Sequence, residues 1–173
     1  MLSGPEPLTD AHDISQFSCG KSALDQWLKT RALANHQHGF TLVMVAHEAR
    51  RVVGFYGLAP TGVEPRLLSR PVRTGQPPNP VPCILLGQLA TDSAWAGRGI
   101  GSALLRSAVT RSLEASKLVG GRALVVRAVD AEAADYWRRH GFMASKDDPL
   151  LFFQSFPNLA ATLGDTDKRD SVR

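Results

Sequence analysis

The run from Leu85 to Leu105, LLGQLATDSAWAGRGIGSALL, constrains this chain more than any other segment. An apolar stretch ends at Thr91, Asp92 and Ser93 open a polar turn, and glycines occupy the alternate positions 97, 99 and 101 before a helix-forming segment begins. Without a Cβ, glycine turns where other residues clash, so several backbone N–H groups can face one point. The start of the following helix adds unpaired N–H groups and the positive end of its dipole. Such a turn holds a phosphate or pyrophosphate without needing a lysine.

Other glycine-turn readings fit less well. A P-loop ends in Gly-Lys-Ser/Thr, which this chain lacks. A Rossmann fingerprint needs Gly-x-Gly-x-x-Gly on the first strand of a βαβ unit, with an acid about 20 residues on. Gly97-Arg98-Gly99-Ile100-Gly101 has a different spacing and lies mid-chain. A glycine-rich connection with no ligand is the remaining alternative.

A chain of 173 residues with 43% hydrophobic content is expected to form one domain, over residues 1–157, followed by a polar tail over 158–173 that frays. No apolar run approaches the ~20 residues of a membrane span, and Met1-Leu-Ser-Gly-Pro-Glu does not read as a signal peptide. With Cys19 and Cys83 far apart, the expectation is a cytoplasmic protein with buried thiols, without a membrane partner. No metal site is expected: His36 and His38 lie in a helix end, while His12 and His47 stand alone. From Arg50 to Arg127 there are eleven Arg or Lys against three acids, Glu64, Asp92 and Glu114, which suits a phosphate-rich partner. Arg106, Arg111 and Lys117 read as a solvated helix face, and Arg66, Arg70 and Arg73 in the proline-rich loop as partner-binding.

Ser22 is expected to cap a helix with apolar positions Ala23, Leu24, Trp27, Leu28 and Leu33. Strands are expected over 41–46 and 52–59, a long loop over 60–82 and a central strand over 81–91. A helix over 99–116, a strand over 122–129, a helix over 132–140 ended by Gly141, and a hairpin of 142–143 with 150–153 complete the pattern. That order predicts an α/β (α+β) fold with a parallel pair at the glycine turn.

Ala96-Gly97-Arg98-Gly99-Ile100-Gly101 resembles the acetyl-coenzyme A pyrophosphate loop of the GNAT superfamily of N-acetyltransferases, written Gln/Arg-x-x-Gly-x-Gly/Ala. Ala96 replaces the usual Gln or Arg, and Arg98 is the candidate to supply that charge. Ala133-Ala-Asp-Tyr-Trp-Arg-Arg-His-Gly-Phe142 resembles the closing helix, Ala-x-x-Phe-Tyr-x-x-x-Gly-Phe. Phe17-Ser-Cys-Gly-Lys-Ser-Ala-Leu-Asp-Gln-Trp-Leu28, Val52-Val-Gly-Phe-Tyr56 and Asp147-Asp148-Pro149-Leu150 resemble the tRNA-acetylating toxins of type II toxin–antitoxin modules. The resemblance covers residues 17–153. It implies a mostly antiparallel sheet with a splayed parallel pair, flanked by helices. It further implies acetyl-CoA as acetyl donor, aminoacyl-tRNA as acceptor, a ribbon-helix-helix antitoxin and a homodimer. Leu89, Ala90 and Thr91 would bind the pantetheine, and Gly97, Arg98, Gly99, Ile100, Gly101 and Ser102 the pyrophosphate.

The family tyrosine stands four residues before the glycine of Gly-Phe, where this chain has Trp137, while Tyr136 stands where phenylalanine is usual. Helical neighbours point about 100° apart. Either Tyr136 is the catalytic phenol through a shifted helix, or Trp137 packs against the thioester and no phenol acts. The acceptor also bears on the chemistry. At pH 7.4 about one lysine in a thousand is neutral (pKa ~10.4), whereas an α-amine (~7.7) is about one-third neutral. Gln88 stands on the central strand where a base would sit, and Asp92 reads as a turn cap, which leans toward a weakly basic amine. The alternatives are an acetyltransferase for a small amine or a protein N-terminus, and a binding module with weak catalysis.

Overall fold

The computed structural model describes the backbone of residues 1–170 and side chains through Gly164. Seven strands form one sheet in the order β1-β2-β3-β4-β5-β7-β6. They are β1 (Leu2–Pro7), β2 (Leu42–Glu48), β3 (Arg51–Val63), β4 (Val81–Thr91), β5 (Ala123–Arg127), β6 (Met143–Ala144) and β7 (Leu151–Ser155). The helices are α1 (Ser22–Trp27), α2 (Leu33–Gln37), α3 (Arg70–Arg73), α4 (Ile100–Val119), α5 (Ala131–Arg139) and α6 (Phe156–Asp170). Pairing is mostly antiparallel with one parallel pair, and β4 and β5 are neighbours joined through α4.

The chain groups into two compact units, with the division falling inside β3, β4 and α4. The first comprises residues 1–59 and 86–108. Its core gathers Leu8, Phe17, Leu28, Ala32, Val43, Val45, Val52, Phe55 and Ala90. Helices α1 and α2 are joined through a π turn, Leu28–Ala32, so residues 22–37 are continuously helical and Leu28 and Ala32 are fully buried. Ser22 is the first helical residue rather than the cap; Lys21 holds that place and makes no capping hydrogen bond. The second unit, residues 60–85 and 109 onward, packs Val63, Leu68, Val72, Val81, Cys83, Ala123, Val125, Leu151 and Phe153 together.

Several segments differ from expectation. β1 lies outside the expected strands; its Pro5 and Pro7 are tolerated because at a sheet edge proline costs no ladder bond. The loop expected over 60–82 keeps β3 running to Val63, then forms a 3₁₀ turn at Pro65–Leu67 and α3. Arg122 pins α3: its Nε donates to Val72 O (2.9 Å) and its Nη2 to Thr74 O (2.9 Å). Past residue 158, where a fraying tail is expected, the chain is helical to Asp170, and Phe156 and Leu159 are buried.

His12 and His47 do not stand alone. Thr9 N–H donates to His12 Nδ1 (3.0 Å) and Arg50 N–H to His47 Nδ1 (3.3 Å). Each neutral ring therefore carries its proton on Nε2, and both donate to Glu6 Oε1, at 3.0 and 2.9 Å. Hydrogen bonds from His12 and then His47 hold the Glu6 carboxyl below the usual carboxylate range. A metal would need the Nε2 lone pairs that these protons occupy, so the trio acts as a clamp on β1. Both cysteines are free, and burial pushes each thiol up to about 11, which leaves neither a thiolate at neutral pH.

Candidate active site

In the first unit, the turn after β4 is folded by one carboxylate. Asp92, 3% exposed, accepts from Ala94 N–H (2.9 Å) and from Ser18 N–H (3.2 Å), with Arg51 Nη2 3.9 Å away. The backbone N–H of Asp92 donates to Val53 O (2.8 Å), which fixes the turn to β3. Asp92 is therefore committed to structure and is not placed as a free base.

Gly97 and Gly99 take positive φ, +77° and +80°, and nothing lies within 4 Å of where a Cβ would stand at either. The turn is bare on that side. Gly101 has ordinary backbone, and a Cβ there would come to 3.4 Å from Thr91 Oγ1, so it brings the helix start close to the end of β4. Ala103 N–H donates to Gly99 O (3.1 Å), which leaves the N–H groups of Ile100, Gly101 and Ser102 in the first turn of α4 without an intrahelical acceptor. Ile100 and Leu104 are buried, and Gly54 of β3 makes room for them: a Cβ there would meet Leu104 Cδ1 at 2.7 Å and Ile100 Cγ2 at 3.0 Å. Arg98 sits with its guanidinium carbon 4.4 Å from the Trp95 ring centroid, a cation–π contact that keeps a positive charge at the turn. On β4, Ala90 is buried, and Leu89 and Thr91 are half-buried.

The second unit carries α5. Asp130 caps it by accepting from Ala133 N–H (2.9 Å), and Gly141, at φ +84°, ends it. Trp137 is 7% exposed and stands edge-on to Phe142, with centroids 5.1 Å apart, so it belongs to the packing of that unit. Tyr136 is half-buried between Trp137 (5.0 Å, nearly perpendicular) and His140 (4.1 Å). Its hydroxyl has no hydrogen bond to any described residue. Burial pushes the phenol up from its ordinary value, opposed by the charge of Arg139, so it stays a proton donor.

Of the three arginines singled out in the proline-rich segment, Arg66 is engaged, 2.7 Å from Glu64 and 3.6 Å from Asp147. Arg70 and Arg73 are exposed, have no ion pair among the described residues, and line an open cavity of about 540 Å³ with Pro65, Thr74 and Pro77.

Residues 38–144 match the sequence model of the acetyltransferase (GNAT) domain, which is more than half of the chain. The chain belongs to the GNAT acetyltransferases. The matched span holds the whole turn and α5. Among GNAT relatives, a tRNA-acetylating toxin of Mycobacterium tuberculosis (strain ATCC 25618 / H37Rv) is 40% identical over 163 residues, covering 94% of this chain and 98% of the relative. AtaT complexed with acetyl-methionyl-tRNAfMet superimposes with a TM-score of 0.82 at 25% identity, over 94% of this chain and 98% of that one. A tyrosine-to-phenylalanine mutant of the AtaT toxin, bound to the C-terminus of the antitoxin AtaR and acetyl-CoA, gives 0.76 at 25% identity, over 94% and 96%. As a GNAT protein the chain is an acetyl-CoA-dependent N-acetyltransferase.

Sequence reasoning missed two features of the first unit. One is the Glu6–His12–His47 clamp, whose members lie up to 41 residues apart. The other is the placement of Gln88 over Gly57, for which no spacing signal exists because the two lie on different strands.

Proposed function

We propose that this protein transfers an acetyl group to the α-amino group of aminoacyl-tRNA and thereby blocks translation as a toxin. The observation that carries this reading is the commitment of Asp92 to the turn beside a neutral amide, Gln88, on β4. With no free carboxylate on that strand, an acceptor that is already about one-third neutral is served better than a lysine. The 40% identical tRNA-acetylating toxin and the tRNA complex of AtaT support the same acceptor class. The exposed, unpaired Arg70 and Arg73 suit a phosphodiester backbone.

Acetyl-CoA supplies an acetyl thioester and a thiol leaving group. The bare side of Gly97 and Gly99 and the unpaired N–H groups of Ile100, Gly101 and Ser102 fit its pyrophosphate, with Arg98 adding charge. Backbone groups of Leu89, Ala90 and Thr91 would hold the pantetheine arm and orient the thioester carbonyl. Tyr136, whose hydroxyl is free of other partners, would donate the proton that the departing sulfur takes up. Trp137 keeps the helix phase that leaves Tyr136 in this state.

The same reading has residues 1–157 working as one acetyltransferase domain in the cytoplasm, as a homodimer, with an antitoxin of the ribbon-helix-helix kind. The antitoxin complex of AtaT supports an antitoxin partner. Among the described residues no helix is long and apolar enough to cross a membrane.

Cell-free translation tests the proposal. Protein together with acetyl-CoA should arrest synthesis, and freshly charged tRNA added once the protein has been removed should restore it. Arrest that needs no acetyl-CoA, or that charged tRNA does not relieve, contradicts it.

A further inference from the structure

Gly57, in the middle of β3, is bare for a reason other than a turn. A Cβ there would stand 2.7 Å from Gln88 Oε1, 3.1 Å from Thr41 Cγ2 and 3.6 Å from Trp27 Cη2. Three side chains of different chemistry therefore converge on one buried piece of backbone within the first unit. Trp27 is stacked on the buried Phe55, with planes 6° apart and centroids 6.0 Å apart, so its position is fixed by the core. Gln88, Thr41 and Trp27 are each half-buried. The carboxamide of Gln88 makes no hydrogen bond to any described residue. Gln88 is not among the buried polar atoms left without a partner, so its carboxamide is open to solvent and can exchange water for a ligand. Gln88 also immediately precedes Leu89–Thr91, the stretch of β4 read above as the pantetheine clamp.

We propose that Gln88, Trp27 and Thr41 form the subsite for the aminoacyl group, with Gln88 Oε1 accepting a hydrogen bond from the neutral α-amine. This rests on the aminoacyl-tRNA reading above. An N–H···O bond to Gln88 orients the amine while its lone pair stays available for attack on the acetyl carbon. A neutral amide suits this task better than a carboxylate, which would stabilise the ammonium form and so withhold the lone pair. Trp27 and the Thr41 methyl give the aminoacyl side chain an apolar wall, and Gly57, lacking a Cβ, lets the Gln88 carboxamide lie against β3 between them.

The test uses full-length protein, labelled acetyl-CoA and total charged tRNA. Gln88→Leu should raise KM for charged tRNA about tenfold, the loss of one hydrogen bond, with acetyl-CoA affinity unchanged. Gln88→Glu should move the rising limb of the kcat/KM–pH profile upward by about one pH unit, because the new carboxylate holds the ammonium form. Gly57→Ala, which displaces the flexible end of Gln88 and crowds the Thr41 methyl, should reproduce the Gln88→Leu effect if that variant folds poorly. Trp27→Ala should change which aminoacyl groups are labelled. Folded Gln88 and Gly57 variants with wild-type KM and pH profile would overturn the subsite. If the wild-type protein labels no charged tRNA but does label a small amine, the tRNA reading fails. The same variants assayed on that amine then decide the subsite.

Discussion

In the proposed mechanism the turn at residues 92–102 and helix α5 serve catalysis by opposite means. The turn offers backbone: positive φ at Gly97 and Gly99, an emptied flank, and N–H groups at the start of α4. Helix α5 offers one side chain, and which one depends on helical phase. Trp137 turns into the packing beside Phe142, and Tyr136 is left half-buried with an unengaged hydroxyl. A site made of backbone is expected to tolerate substitution of the residues around it, such as Ala96 in place of the usual Gln or Arg. One made of a side chain is lost or gained at a single position. The turn should therefore govern acetyl-CoA affinity, and α5 the rate.

The largest expected effect follows from that division. Tyr136→Phe removes only a hydroxyl and should lower kcat by ~10²–10⁴ with little change in acetyl-CoA affinity. In the wild-type enzyme the alkaline fall of kcat should come above the ordinary tyrosine value of about 10, because burial raises the phenol and the proton is lost only past that point. A silent Tyr136→Phe would move the role to Trp137, and Trp137→Tyr, which restores the family residue, would then raise activity. Trp137→Ala comes next. It deletes a buried aromatic and should destabilise the fold by about 3–5 kcal/mol, read by denaturant unfolding. A loss of rate without a loss of stability would show Trp137 acting in chemistry rather than packing.

Gly99→Asp should weaken acetyl-CoA binding by ~10–10²-fold in calorimetry. It adds a left-handed backbone cost of about 1–2 kcal/mol and a negative charge where phosphate must lie. Unchanged affinity would break the assignment of the turn. The smallest effect belongs to the α3 arginines. Arg70→Ala and Arg73→Ala should each reduce the slope of log K against log salt for charged tRNA by roughly 0.7–0.9, with acetyl-CoA binding untouched. Unaltered slopes would remove α3 from the tRNA interface.

How much of this was legible in the sequence follows the same contrast. β4 runs from Val81 to Thr91 as expected, because an apolar run bounded by Pro80 and Asp92 leaves little freedom. Helix α4 starts one residue later than expected and runs three further, to Val119, where Gly120 and Gly121 stop it with positive φ. These features are local, and composition writes them. β1 was not legible, because prolines such as Pro5 and Pro7 disfavour a strand except at a sheet edge, and the edge position is set by tertiary pairing. The Glu6–His12–His47 clamp and the convergence on Gly57 depend on strand pairing between distant segments, which no window of sequence contains. The phase of α5 was half-legible: the 100° offset between Tyr136 and Trp137 is certain from helix geometry, but which ring faces the core is decided by tertiary packing.

The central claim is that a weakly basic α-amine on tRNA receives the acetyl group. Full-length protein incubated with labelled acetyl-CoA and total charged tRNA, followed by mild alkaline cleavage of the aminoacyl ester, tests it most directly. The account predicts label in tRNA that is released as N-acetyl amino acid, and none in deacylated tRNA. Label that stays with the nucleotides after cleavage, or that enters only small amines, would contradict it.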